Sequence, residues 1–132
     1  MAPSMQVRKC LLRKWANFQG YGFNLHAEKG KHGQYVGQID KGSPAVSAGL
    51  REGDRIVEVD GHNIGTDSHA QVVGRIRSCG DSVWLLVVDK NTDEYCANND
   101  IDVSEDCGVE LEVIVCSAVD PNLPTETPGK TL

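Results

Sequence analysis

The 132 residues, 39% of them hydrophobic, supply material for one modest core and leave little for a second. The formal net charge of -6 is unevenly placed: residues 1–95 carry 12 basic and 11 acidic side chains, whereas 96–132 carry eight acidic residues against Lys130 alone. A near-neutral body with an acidic end gives no basic footprint for nucleic acid or anionic lipid, so neither is an expected partner.

No run of 18 apolar residues occurs, and Met1-Ala2-Pro3-Ser4 lacks the basic-then-apolar build of a signal peptide. A cytoplasmic protein with no direct membrane insertion is expected. The five cysteines (Cys10, Cys79, Cys96, Cys107, Cys116) are odd in number and form no C-x-x-C pair. That pattern predicts reduced thiols, with no disulfide framework, metal site or cofactor.

In chain order, strand-like segments with alternating or clustered apolar residues fall at 7–13, 21–26, 34–39, 55–59 and 83–89. Turn chemistry separates them at 17–20, 29–33, Gly42-Ser43-Pro44, Gly53-Asp54, Asp60-Gly61 and Gly80-Asp81. Two segments read as helices. Residues 44–50 open on Ser-Pro and carry a glycine near the end, which predicts one or two turns. Residues 66–78 offer Asp67 or Ser68 as a cap, put Val72, Val73 and Ile76 on one face, and stop at Cys79-Gly80. The expected fold class is α+β: a small curled sheet of five to six strands covered by two helices.

After Asp93 the pattern loosens, and the expected organisation is a folded domain over 7–95 followed by an acidic extension over 96–132. Asn98-Asn99-Asp100 signals a turn, and Ser104-Glu105-Asp106 can cap a helical turn. The run from Val109 to Val113 fits a strand or a helix equally, and this part of the extension reads as a linker, with docking on the domain left open. Residues 120–132 carry Pro121, Pro124 and Pro128 with few apolar residues, a composition that predicts disorder.

The most informative string is Gly20-Tyr21-Gly22-Phe23-Asn24-Leu25. Glycines before a strand allow successive N–H groups to turn to one side as a nest for an oxygen anion. The alternating Tyr21, Phe23 and Leu25 place an apolar surface beside that nest. An anion site next to an apolar pocket describes a peptide C-terminus ending in a hydrophobic residue. By itself, Gly-x-Gly before a strand more often makes an ordinary turn.

Around this string the chain resembles PDZ domains, most closely those of the sodium/hydrogen exchanger regulatory factor scaffolds. Gly20-Tyr21-Gly22-Phe23 is similar to the family's carboxylate-binding loop, and Gly42-Ser43-Pro44-Ala45 with Ala48-Gly49-Leu50 to its first helix. The segment 51–61, Arg-Glu-Gly-Asp-Arg-Ile-Val-Glu-Val-Asp-Gly, is similar to the family's "GDxIxxVNG" stretch, with Asp60 where Asn is commoner. His69-Ala70-Gln71-Val72-Val73-Gly74-Arg75-Ile76 resembles the second helix and Leu85-Leu86-Val87-Val88-Asp89 the last strand. The likeness covers about residues 7–95 and implies a PDZ-like partly open β-sandwich or barrel.

It also implies a function: capture of the C-terminal tails of membrane or signalling proteins by strand addition along residues 21–26, as a scaffold or adaptor beneath the plasma membrane. The resemblance assigns the tail carboxylate to the N–H groups of Tyr21, Gly22 and Phe23, with Arg13 or Lys14 adding positive potential. The last side chain would sit among Tyr21, Phe23, Leu25, Val73 and Ile76, with Val72 left to the core. His69, at the head of the second helix, would bond a Ser or Thr hydroxyl two residues before the ligand end, giving a class I preference for x-Ser/Thr-x-hydrophobic with Leu favoured. Where the nearest relatives can carry a basic residue that pairs with an acid three residues from the ligand end, this chain has Gly37. Gln19, Asn24, His26 and Asp40 are then the candidate upstream contacts.

An enzyme is not expected, because each motif fails. Gly129-Lys130-Thr131 would need a glycine at 124 to make a phosphate loop, and Pro124 stands there; Gly20-x-Gly22 lacks the third glycine, Leu25 holding its place. No nucleophile elbow and no His-x-x-x-His pair occurs. A competing reading from another class is self-capture, since Leu132 offers a carboxylate and an apolar side chain. Lys130 in place of Ser or Thr predicts that any such self-association is weak.

Overall fold

The computed structural model describes residues 5–27 and 33–121. Within these residues seven strands form one open sheet: β1 (Gln6–Arg13), β2 (Phe23–His26), β3 (Gln34–Ile39), β4 (Arg55–Val59), β5 (His62–Asn63), β6 (Ser82–Val88) and β7 (Glu110–Val115). Their order is β2-β3-β4-β6-β1-β7, with β5 paired to β4, and the sheet is not closed into a barrel. Among the described residues three helices accompany it, α1 (Pro44–Ser47), α2 (His69–Ser78) and α3 (Lys90–Asn98).

Local chemistry accounts for most boundaries. Ser43 caps α1 through its hydroxyl to the Val46 N–H, with Pro44 in the first turn, where its missing N–H leaves no bond unmade. Ser68 and Gln71 form a reciprocal capping box at the start of α2. Asp89 caps α3 by accepting from the Thr92 N–H at 2.7 Å. Between β4 and β5, Asp60 sits at φ 47, a conformation that aspartate and asparagine tolerate better than most residues, and its carboxylate accepts from the Trp84 N–H at 2.8 Å.

The sheet buries apolar side chains on both faces. On one face Cys10, Leu12, Val36, Ile56, Val83, Leu85 and Val87 pack under α1 and α2 with Ala45, Val72 and Ile76. On the other, Val7, Val57, Leu86 and Val88 pack against Cys96, Val103 and Leu111. Arg8, buried on β1, donates to the Asp54 carboxylate and to the Gly49 carbonyl, tying the sheet to the α1–β4 loop.

Three elements go beyond the sequence reading: β5, α3 and β7. The boundary expected at 95/96 lies inside α3, which Arg55 fastens to β4 by an ion pair with Asp93 at 3.0 Å. The ambiguous run after Val109 is a strand, and not a linker: β7 lies parallel to β1 with Gln6 opposite Glu110 and Leu11 opposite Val115. Disorder was expected over 120–132; of these, Asp120 is held by the Asn17 amide at 2.9 Å, and 122–132 lie outside the described residues.

Candidate functional site

The sheet leaves β2 at one end, hydrogen-bonded to β3 alone, so its outer edge keeps a row of unspent backbone groups. Between this edge and α2 runs a cleft of about 570 Å³. Its walls are Tyr21, Phe23 and Leu25 on one side and Val73 and Ile76 on the other, with Lys14 and Arg77 at its rim. All five residues expected to form the apolar pocket therefore meet here. The strand places Phe23 and Leu25 on one face by its twofold period, while the helix brings Val73, Ile76 and Arg77 onto one stripe and turns Val72 fully into the core.

The loop at the head of the cleft is fixed by its carbonyls. The Tyr21 carbonyl accepts from the Ala45 N–H at 2.9 Å and the Gly22 carbonyl from the Asp40 N–H at 2.8 Å. Among the described residues the N–H groups of Tyr21 and Gly22 meet no acceptor. Two adjacent donors are thus free beside an apolar cleft, the arrangement an incoming carboxylate satisfies. Gly22 is obligatory: its φ is +88°, and a Cβ there would overlap the Cβ and hydroxyl of Ser43.

Electrostatics add to the site. The Lys14 ammonium lies 5.7 Å from the centre of the Tyr21 ring. Burial pushes the Tyr21 phenol up to about 12, so it stays neutral beside the cleft. Arg13, in contrast, is paired with Ser82 inside the sheet and does not line the cleft. Arg77 was missed by the sequence reading although it stands four residues after Val73, one turn along the same stripe.

At the head of α2 the His69 ring meets the Gln34 amide oxygen through Nδ1 at 2.9 Å. Because that oxygen accepts, Nδ1 carries the proton and Nε2 keeps a lone pair for a hydroxyl donor. Of the upstream candidates, Asn24 lines both this cleft and a second concavity of about 940 Å³ that β2 and β3 share with residues 51–55 and the start of α3, and which His26 and Gly37 also line. Asn24 lies across Gly37, filling the space a side chain there would take. Asp40 contributes through its backbone, and Gln19 is exposed outside both concavities.

A family model for the PDZ domain matches residues 12–88. The chain belongs to the PDZ family. Among curated proteins this PDZ domain is 46% identical over 106 residues to the Na(+)/H(+) exchange regulatory cofactor NHE-RF2 of Oryctolagus cuniculus, covering 80% of this chain and 34% of the relative. It is 52% identical over 87 residues to NHE-RF1 of Gallus gallus, covering 66% and 26%. The chain thus spans about a third or less of these relatives. Among solved structures, the PDZ domain from choanoflagellate SHANK1, bound to a GIRK3 peptide, superposes with a TM-score of 0.57 at 30% identity, covering 64% of this chain and 92% of that one. The matched region ends at 88, so α3 and β7 lie beyond what the family model describes.

Proposed function

We propose that this PDZ domain binds the free C-termini of partner proteins, adding the tail as a strand antiparallel to β2. The observation that carries this reading is the pair of unspent N–H groups at Tyr21 and Gly22 beside an apolar cleft bounded by a free strand edge. The carboxylate takes those donors and that of Phe23, under the positive charge of Lys14. The last side chain, with Leu favoured, enters between Phe23, Leu25, Val73 and Ile76. A Ser or Thr two residues earlier donates its hydroxyl to Nε2 of His69, which makes the preference class I.

The proposed role is that of a non-enzymatic adaptor, which the PDZ match and the likeness to regulatory cofactors support. The similar cofactors are named for Na(+)/H(+) exchange, which supports partners among transporters, receptors or their cytoskeletal linkers and a place beneath the plasma membrane. A groove of this size supports micromolar-scale affinity, on the order of -7 to -9 kcal/mol.

Fluorescence anisotropy with a peptide ending in Thr-x-Leu, its C-terminally amidated twin, and the chain's own last ten residues tests the reading. Saturable binding of the free acid that disappears on amidation is expected. Equal binding of acid and amide overturns carboxylate capture. Tighter binding of the chain's own end than of Thr-x-Leu turns the reading to self-capture.

A further inference from the structure

Residues 116–120 follow β7 and lie outside the groove, yet their bonds converge on the two walls that hold the carboxylate loop. On one side the Trp15 indole N–H donates to the Ser117 carbonyl at 2.8 Å, and the Asn17 amide donates to the Asp120 carboxylate at 2.9 Å. Trp15 and Asn17 belong to the turn closed by the Phe18 N–H on the Trp15 carbonyl at 3.2 Å, which sets the Phe18 ring beside Gly22. On the other side the Ser117 N–H donates to the Ser47 hydroxyl of α1 at 2.8 Å. Helix α1 in turn holds the Tyr21 carbonyl through Ala45 and abuts Gly22 through Ser43.

One residue is therefore shared: the Ser117 carbonyl accepts from the β1–β2 turn and the Ser117 N–H donates to α1, with the Gly20-Tyr21-Gly22 loop between them. Its neighbour Cys116 is buried, accepts the Arg13 N–H on its sulfur at 3.0 Å and donates its own N–H to the Leu11 carbonyl at 3.0 Å. Further back, the Ile114 side chain fills the space where a Cβ of Gly49 would stand, against the end of α1. Carboxylate capture depends on two N–H groups held at a set separation, and a loop free to splay would spend binding free energy on ordering itself.

We propose that the segment 114–120 acts as a strap that positions the carboxylate-binding loop, with Trp15, Ser47 and Asp120 as positioning residues for peptide affinity from outside the groove. The proposal rests on the groove binding a C-terminal peptide.

The test measures anisotropy Kd and thermal midpoint on the full chain carrying Ser47→Ala, Asp120→Ala, Trp15→Phe, or Glu105→Ala. Glu105 anchors the same extension at its other end, through the Lys9 ammonium at 2.9 Å, away from the loop. The strap variants weaken binding of a Thr-x-Leu peptide by about three- to tenfold each, and Glu105→Ala leaves Kd unchanged. Amide exchange of Ala45 and Asp40, whose N–H groups hold the Tyr21 and Gly22 carbonyls, speeds up in the free protein in the strap variants alone. Strap variants that lower the midpoint while Kd and loop exchange stay at the wild-type values overturn the proposal. A wild-type chain that binds no free-acid peptide removes the function itself, a result distinct from unchanged Kd among variants.

Discussion

At the residue scale, the proposed recognition is tested at two positions, Gly22 and His69. Gly22 sits at φ +88° with Ser43 where its Cβ would be, so Gly22→Ala combines backbone strain with a steric overlap against the α1 cap. The expected outcome is a loss of about 1–3 kcal/mol in urea unfolding and loss of peptide binding, because relief of the overlap must move the loop. In the proposed complex His69 acts by a single hydrogen bond, from a ring that Gln34 already holds through Nδ1. His69→Ala should weaken a Thr-x-Leu peptide by about 0.5–1.5 kcal/mol and leave a Val-x-Leu peptide nearly unchanged. A double-mutant cycle between protein and peptide reads the coupling directly; equal losses for the two peptides place the histidine outside ligand contact.

At the element scale, α2 is the helical wall of the groove, and its start is fixed by one reciprocal cap. Ser68 accepts the Gln71 N–H, and the Gln71 amide oxygen accepts the Ser68 N–H at 2.8 Å. Ser68→Ala should cost about 1 kcal/mol in stability. The cap immediately precedes His69, so peptides with Thr two residues from the end should lose more affinity than those with Val. Chemical denaturation with parallel anisotropy checks both. Helix α3 depends on different anchors, the Asp89 cap and the Arg55–Asp93 pair, so its loosening is felt in the second core and not in the groove.

At the scale of the whole molecule, burial sets a pH dependence. Burial pushes the Cys10 thiol from 9.0 up to about 12, that of Cys79 from 9.0 up to about 11, and the Tyr21 phenol from 10.0 up to about 12. The unfolded chain gives up these protons first, so between pH 9 and about 12 it binds fewer protons than the folded chain. Stability that is fully present below pH 9 should therefore fall as pH rises through that window, measured by denaturant midpoints at constant ionic strength. The same protonation keeps Cys10 slow toward a thiol reagent at pH 8 in the folded state and fast in denaturant. A midpoint that holds steady from pH 9 to 12 contradicts the buried, protonated state of these groups.

The elements of the body and the five groove-lining residues were legible in the sequence because their causes are local. Alternation put Phe23 and Leu25 on one face, helical period put Val73 and Ile76 on another, and Ser-Pro and the Asp67-Ser68 cap candidates signalled the helix starts. Arg77 obeyed the same period and was overlooked, whereas Arg13 had a suitable charge but is held in β1 opposite Ser82. What only the tertiary structure decided involves partners far apart in the chain. The run after Val109 has no preference between strand and helix until β1 offers it a free edge about a hundred residues earlier and Gly49 leaves room for Ile114. Likewise, nothing near Ser117 in sequence announces that its backbone meets both Trp15 and Ser47. Backbone groups carry no residue code, so such contacts are set by packing and are invisible until the fold brings the segments together.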